Sequence, residues 1–339
     1  VLLLLIFGLA SVACPHGARP VGAGALAVRA EPFSCFEEGD PSRSRFGALS
    51  FIGGLELSSD DGAFGGLSAL RLEQGGERFV ALSDRAYWLR GRIVARDGVP
   101  LGIAGAEMGP VLGPDGRPAE RWDTESLALD GGDAWVGIER LDAVARFAFG
   151  RSGLLAPARL IDLPPGAAAL PPNRGLEALV FVPRELPLGG SLIAISERAL
   201  DGEGNIAAFI IGGPRPGMFH VRRSDGFDVS DAALLPGGDL LLLERRFTLT
   251  GGFAARIRRL PEPMLRPGSL ADGPVLFAAD GRHRIDNLEA LDVHRSAHGL
   301  VLTMMSDDNY LPLQKTLLLQ FELGGNPEAA GPRAAVTSF

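Results

Sequence analysis

The sequence predicts an all-β fold, a β-propeller of five blades, and three observations carry that prediction. Forty-six Gly and 25 Pro in 339 residues punctuate the chain too often for a helical bundle, because both residues break helices and mark turns. Five segments repeat one pattern: an apolar strand opened by an acidic or hydroxyl residue, a turn, then an apolar strand closed by an acidic one. The opening residues, Ser68, Glu125, Glu177, Asp231 and Glu289, are separated by 57, 52, 54 and 58 residues, about the length of a propeller blade.

The elements follow in chain order. The first pair is Gly66 to Leu70 with Phe79 to Leu82, closing on Ser83-Asp84-Arg85; the second is Glu125 to Leu129 with Ala134 to Ile138, closing on Glu139-Arg140. The third is Leu176 to Leu179 with Leu192 to Ile195, closing on Ser196-Glu197-Arg198. The fourth is Ser230 to Leu234 with Leu240 to Leu243, closing on Glu244-Arg245-Arg246, and the fifth is Leu288 to Leu291 with Leu300 to Met305, closing on Ser306-Asp307-Asp308-Asn309. Third strands are expected at Tyr87 to Val94, Ala143 to Phe149, Ile206 to Ile211, Ala254 to Leu260 and Thr316 to Leu323, and an outer strand at Pro274 to Ala278. The last repeat lacks a fourth strand. The unused segment Phe46 to Leu57 is expected to supply it and so close the ring, removing the free sheet edge of an open array. A sixth blade is not excluded, but it would need a repeat that the pattern does not display.

The chain divides into a signal peptide (1–13), a linker and N-terminal extension (14–45), the propeller (46–323) and a flexible tail (324–339). Val1 to Ala13 is apolar and uncharged and ends in Ser11-Val12-Ala13, a small-x-small pattern. It is shorter than the roughly 18 residues a spanning helix needs, so it reads as a secretory signal, with no transmembrane span in the mature chain and a periplasmic or secreted destination. Cys14 admits a second reading as a lipoprotein with a lipid anchor at that residue; otherwise Cys14 and Cys35 are candidates to pair in an oxidising compartment. The net charge of −8 and a pI near 5.3 argue against nucleic acid.

In a blade the start of the first strand and the end of the second share one rim. Glu125, Glu177, Asp231 and Glu289 are therefore expected in the channel mouth, surrounded by Asp84, Glu139, Glu197, Glu244 and Asp307. Any one acid–Arg pair is more readily a tie between blades. Four strand-one carboxylates in one mouth are harder to explain so, because they repel one another unless cations or protons intervene. The expected ligands of a hard cation such as Ca²⁺ are Glu125, Glu177, Asp231, Glu289 and Asp308. Arg85, Arg140, Arg198 and Arg245 are the candidates to bind a small anionic substrate, since guanidinium groups hold phosphate in bidentate fashion. Glu139, Glu197 and Asp307 are the candidates for proton transfer.

Other signals are weaker. His294 and His298 lack partners at zinc spacing and read as surface loop residues. No Gly-x-Ser-x-Gly elbow offers a serine nucleophile. Ala104 to Asp123 reads as a long connection, an insertion or a lid.

Asp286-Asn287-Leu288-Glu289-Ala290-Leu291 followed by Ser306-Asp307-Asp308-Asn309-Tyr310-Leu311-Pro312-Leu313-Gln314-Lys315 resembles the C-terminal signature of the phytase-like propeller family, labelled "esterase-like activity of phytase". Gly65 to Arg85 and Phe227 to Phe247 are similar to it as well, so the resemblance spans roughly Phe46 to Leu323. It implies an exported bacterial propeller whose repeated acids form a hydrolytic centre. The sequence departs from that pattern at Ser68, where a carboxylate is expected, and in the fifth blade, which ends in Asp308-Asn309 rather than Arg. The leading expectation is a metal-dependent hydrolase of phosphate esters. The alternatives are a non-enzymatic, calcium-stabilised binding module of the cell envelope and a lactonase of the gluconolactonase type.

Overall fold

The computed structural model describes residues 22–168, 170–171 and 174–324; the signal segment, Cys14 and the tail beyond Gly324 lie outside them. Five sheets, antiparallel except for a short parallel edge strand, Leu270–Ala271, on the third, form a ring, as the repeat predicts. From the channel outwards, blade I is Leu67–Glu73, Arg78–Ser83, Tyr87–Arg96 and Val99–Pro110. Blade II is Thr124–Asp130, Asp133–Ile138, Ala143–Phe147 and Ala158–Ile161, and blade III is Leu176–Phe181, Leu192–Leu200, Ile206–Ile211 and Gly217–Val221. Blade IV is Asp228–Leu234, Leu240–Thr248, Gly252–Leu260 and Val275–Ala279. Blade V is Asn287–Arg295, Leu300–Asp307 and Thr316–Leu323, completed by Leu49–Ser58 from the other end of the chain. That N-terminal strand runs antiparallel to the third strand, from Thr316 opposite Leu57 to Leu323 opposite Leu49, and closes the ring.

Each blade is buried on both faces, which explains why its second strand is an unbroken apolar run rather than an alternating one. In Leu240 to Leu243 successive side chains point to opposite faces. Leu241 and Leu243 join the core between blades IV and V, while Leu240 and Leu242 join the core between blades III and IV. Each fully buried leucine contributes about 1.5–3 kcal/mol.

The N-terminal extension is more than a linker where it is described. Arg29–Phe33 adds an edge strand outside Leu49–Ser58 in blade V, and Gly24–Ala25 pairs with Glu107 and Met108 at the edge of blade I. One short segment thus straps the two blades between which the ring closes. Phe36, fully buried, packs among Phe46, Phe277 and Phe321 with ring centroids 4.9–5.9 Å apart, adding to the core that joins blades IV and V. The expected connection from Ala104 to Asp123 is in part strand. Its first part, through Pro110, is the outer strand of blade I, masked in the sequence by Gly102, Gly105 and Gly109.

Candidate functional site

Every inner strand carries a β-bulge at the same place. Leu67 pairs with Ser83 and Ala69 with Leu82, which leaves Ser68 as the extra residue. The same irregularity isolates Glu125, Glu177, Ser230 and Glu289 in blades II to V. A bulge re-aims the side chain it carries, and here it turns the extra residue at the channel mouth. Opposite it, at the end of the second strand, stand Asp84, Glu139, Glu197, Arg245 and Asp307.

This register corrects the sequence reading of blade IV, which lies one residue off on both strands. Ser230, not Asp231, occupies the bulge, and Arg245, not Glu244, occupies the acid position. A one-residue step reverses the face a side chain points to. Asp231 accordingly leaves the expected ligand set: both its oxygens bind Arg71, at 2.7 and 2.8 Å, and it accepts the backbone N–H of Leu291 and Ala232. Glu244 is fully buried on the other side, where Arg256 and Arg258 each bind both of its oxygens.

The mouth is a polar cavity of about 280 Å³ lined by Asp84, Glu125, Glu139, Glu177, Glu197, Arg198, Arg245, Glu289, Asp307 and Asn309. It brings together eight of the twelve candidates and leaves out Asp231, Asp308, Arg85 and Arg140. Asp308 builds a turn instead, accepting the N–H of Gly66 at 2.9 Å, the N–H of Tyr310 at 3.0 Å and the hydroxyl of Thr316 at 3.0 Å. Arg85 lies over the Tyr310 ring, 3.4 Å from its centroid. Arg140 is exposed and donates to Asp123 at 2.8 Å. Close approach explains Gly66: its φ is +59°, and a Cβ there would stand 2.3 Å from the Tyr310 ring and 2.4 Å from the Asp84 carboxylate.

Arg245 is the more buried of the two arginines that line this cavity, Arg198 being the other. Its guanidinium lies 3.2 Å from Glu289 and 3.6 Å from Glu197 and donates to the Asn287 side chain at 3.1 Å, while Asn287 donates to Glu289 at 2.7 Å. Burial opposes its charge, yet Glu289, Glu177, Glu197 and Glu125 hold it protonated above its usual range. The acids are undercompensated. Burial, then the charges of Glu177 and Glu289, raise Glu125 well above the ordinary carboxylate range; burial, Glu197 and Glu289 do the same to Glu177. Burial lifts Asp84 to about 7, and burial together with Glu289 lifts Asp307 to about 9.

Asp123, Glu125 and Glu139, all half-buried, each offer one oxygen within 4.8 Å of the others, a set that could hold a metal ion. The sequence reading missed Asp123, although Asp123-Thr124-Glu125 places two acids at alternate positions of a strand start. Glu139 also accepts the N–H of Gly175 in the next blade at 3.3 Å.

The model of the family "Esterase-like activity of phytase" matches residues 62–310, most of the propeller. The chain belongs to that phytase-like family. No curated protein matches the sequence closely enough to count as a relative. Among solved structures it is similar to the glutaminyl cyclase of Myxococcus xanthus, with 10% identity, a TM-score of 0.41, and 77% of this chain and 91% of that one covered. It is also similar to the aldose sugar dehydrogenase of Streptomyces coelicolor, solved with PQQ bound, with 12% identity, a TM-score of 0.42, and 89% and 99% covered. The Malassezia sympodialis allergen Mala s 1 has 13% identity and a TM-score of 0.40, with 81% and 89% covered. Likeness at this level assigns no chemistry to the phytase-like chain.

Proposed function

We propose that this phytase-like propeller is an exported, calcium-dependent hydrolase of phosphate esters acting at the acidic mouth. The observation that carries the reading is the substitution of Arg245 for an acid in blade IV, which sets one cation among the carboxylates of the other four blades. A ring of acids alone would suit only cations; an arginine within it suits an anionic substrate as well.

Asp123, Glu125 and Glu139 would hold the cation, and their hard oxygens fit Ca²⁺, which takes 6–8 such ligands and so leaves places for water and substrate oxygen. When bound, such an ion polarises a phosphoryl oxygen and acidifies the water it holds. Arg245 and Arg198 would orient the phosphate. Glu197 and Asp307, in the same cavity but outside the cation set, would exchange protons with water and leaving group. Glu139, a candidate for proton transfer in the sequence, belongs on this reading with the cation ligands. Export rests on the apolar segment 1–13 alone.

One observation favours a second, non-enzymatic reading. Glu139 already bonds to blade III through Gly175, so a cation beside it would brace two blades. The deciding experiment is calcium content by elemental analysis together with turnover on a panel of phosphate esters and lactones, for the wild type and Glu125→Gln. Calcium and phosphatase activity lost together support the hydrolase. Calcium and melting temperature lost together, with no ester turned over by the wild type, would leave only the brace.

A further inference from the structure

The channel has a second end, distinct from the acidic mouth. Arg71 from blade I reaches across the channel to Asp231 and to the carbonyls of Leu179 and Leu291, so blades III, IV and V all bind its guanidinium. Beyond that plug the far ends of the inner strands enclose a cavity of about 400 Å³. Its walls mix apolar residues, Leu72, Leu129, Phe181 and Val293 among them, with Arg71, Glu185, Arg295 and two half-buried polar residues, Asp292 and His294.

Both polar groups have unused capacity. Asp292 accepts the N–H of Leu72 at 2.6 Å and of Val293 at 2.9 Å but forms no ion pair among the described residues, Arg71 being committed to Asp231. Burial raises its carboxyl to about 6, against the opposing charge of Arg71. His294 was expected in a surface loop; it lies instead on the inner strand of blade V, because the strand runs on to Arg295. Burial lowers its pKa and so favours the neutral ring, and its buried Nδ1 has no hydrogen-bond partner among the described residues. Gly76, with φ +92°, makes room for that ring: a Cβ there would stand 2.4 Å from it.

We infer that this cavity binds a small organic cation, an ammonium on an apolar or aromatic body, held by Asp292 beside the ring of His294, with the body against Leu72, Leu129 and Phe181. A carboxylate that accepts only two backbone amides gains most from a charged donor. An anion is disfavoured, because the charge of Arg71 is spent on Asp231, while Glu185 and Arg295, both lining the cavity and both exposed to solvent, offset each other and leave Asp292 as the half-buried charge. Phe181, stacked on Trp135 at 4.9 Å, adds an aromatic wall of the kind that ammonium groups favour.

Calorimetric titration of the full chain and two variants with benzylamine, protonated at neutral pH, and with its neutral analogue benzyl alcohol tests this. The amine is expected to bind at least about tenfold more tightly, a preference lost in Asp292→Asn and kept in Glu125→Gln of the mouth. Equal binding of the two probes, or no binding with a Kd tighter than about 1 mM, overturns the inference. So does a preference that survives Asp292→Asn but vanishes in Glu125→Gln, which would put the ammonium in the acidic mouth.

Discussion

Arg71 and Asp231 belong to blades I and IV, yet they meet across the channel in a buried two-point ion pair, with nitrogen–oxygen distances of 2.7 and 2.8 Å. Each end is further tied, Arg71 to backbone carbonyls and Asp231 to backbone amides, so the pair closes the ring from inside as the N-terminal strand closes it from outside. Removing one partner leaves the other charge buried and uncompensated, which typically costs about 3–5 kcal/mol. Arg71→Met and Asp231→Asn are therefore each expected to lose stability in that range in urea titrations. The double variant should lose less than the sum of the two, because neither charge is then stranded.

Asp231 also shows how far the sequence could be read. The blade count, the closing strand and the acidic rim were legible, because each rests on a periodic apolar run bounded by turns. Blade IV was misread by one residue because Ser230-Asp231 and Glu244-Arg245 each offer an acid beside the correct position. Only pairing resolves that choice: the bulge opposite Leu243 and Glu244 selects Ser230 and Arg245. Asp123 was missed for a different reason. It lies just before the strand, outside the repeated pattern that marks one acid per inner strand, and its link to Glu139 comes from across the hairpin.

The corrected register separates two glutamates that the sequence treated alike. Glu244→Gln weakens a buried anion that serves Arg256 and Arg258, and stability should fall by about 3–5 kcal/mol with metal content unchanged. Glu125→Gln should do the reverse, lowering calcium content while the chelator-treated protein melts no lower than wild type. Elemental analysis and thermal melts on the two variants check both. Calcium loss in Glu244→Gln with the fold intact would return Glu244 to the mouth.

Hydroxyl groups near the bulges latch successive blades: Ser68 donates to the Thr124 carbonyl at 2.7 Å, Ser126 to that of Leu176, and Ser230 to that of Leu288 at 3.0 Å. A buried hydrogen bond of this kind contributes about 0.5–1.5 kcal/mol, and deleting the hydroxyl leaves the carbonyl short of a partner. Ser68→Ala and Ser230→Ala are expected to cost about 1 kcal/mol each in denaturant midpoint, with calcium content unchanged.

The charge at Arg245 predicts a kinetic split. Arg245→Gln removes the group that offsets Glu289 and Glu197, so those carboxylates should take up protons more readily and the apo protein should lose part of its stability. On the hydrolase reading the same change should raise KM for phosphate esters by about tenfold or more, the scale of one lost charge-assisted contact. Steady-state kinetics on Arg245→Gln, with calcium saturating, measures it. Unaltered KM would remove the arginine from the substrate site.

The raised carboxyls set the direction of pH dependence. Asp84 and Asp307 stand at about 7 and about 9 in the fold, against an ordinary aspartate value near 4 in the unfolded chain. The folded state therefore binds more protons than the unfolded one in this window, and stability falls as pH rises. The contribution is complete below about pH 4 and is lost as pH climbs through 7 towards 9. In chelator, the melting temperature should decline steadily from mildly acidic to alkaline pH. A cation in the mouth competes with those protons, so saturating calcium should raise the melting temperature most at the alkaline end and flatten the decline. Melts across that range, with and without calcium, measure both slopes. A calcium effect equal at every pH would mean that the ion binds away from these carboxylates.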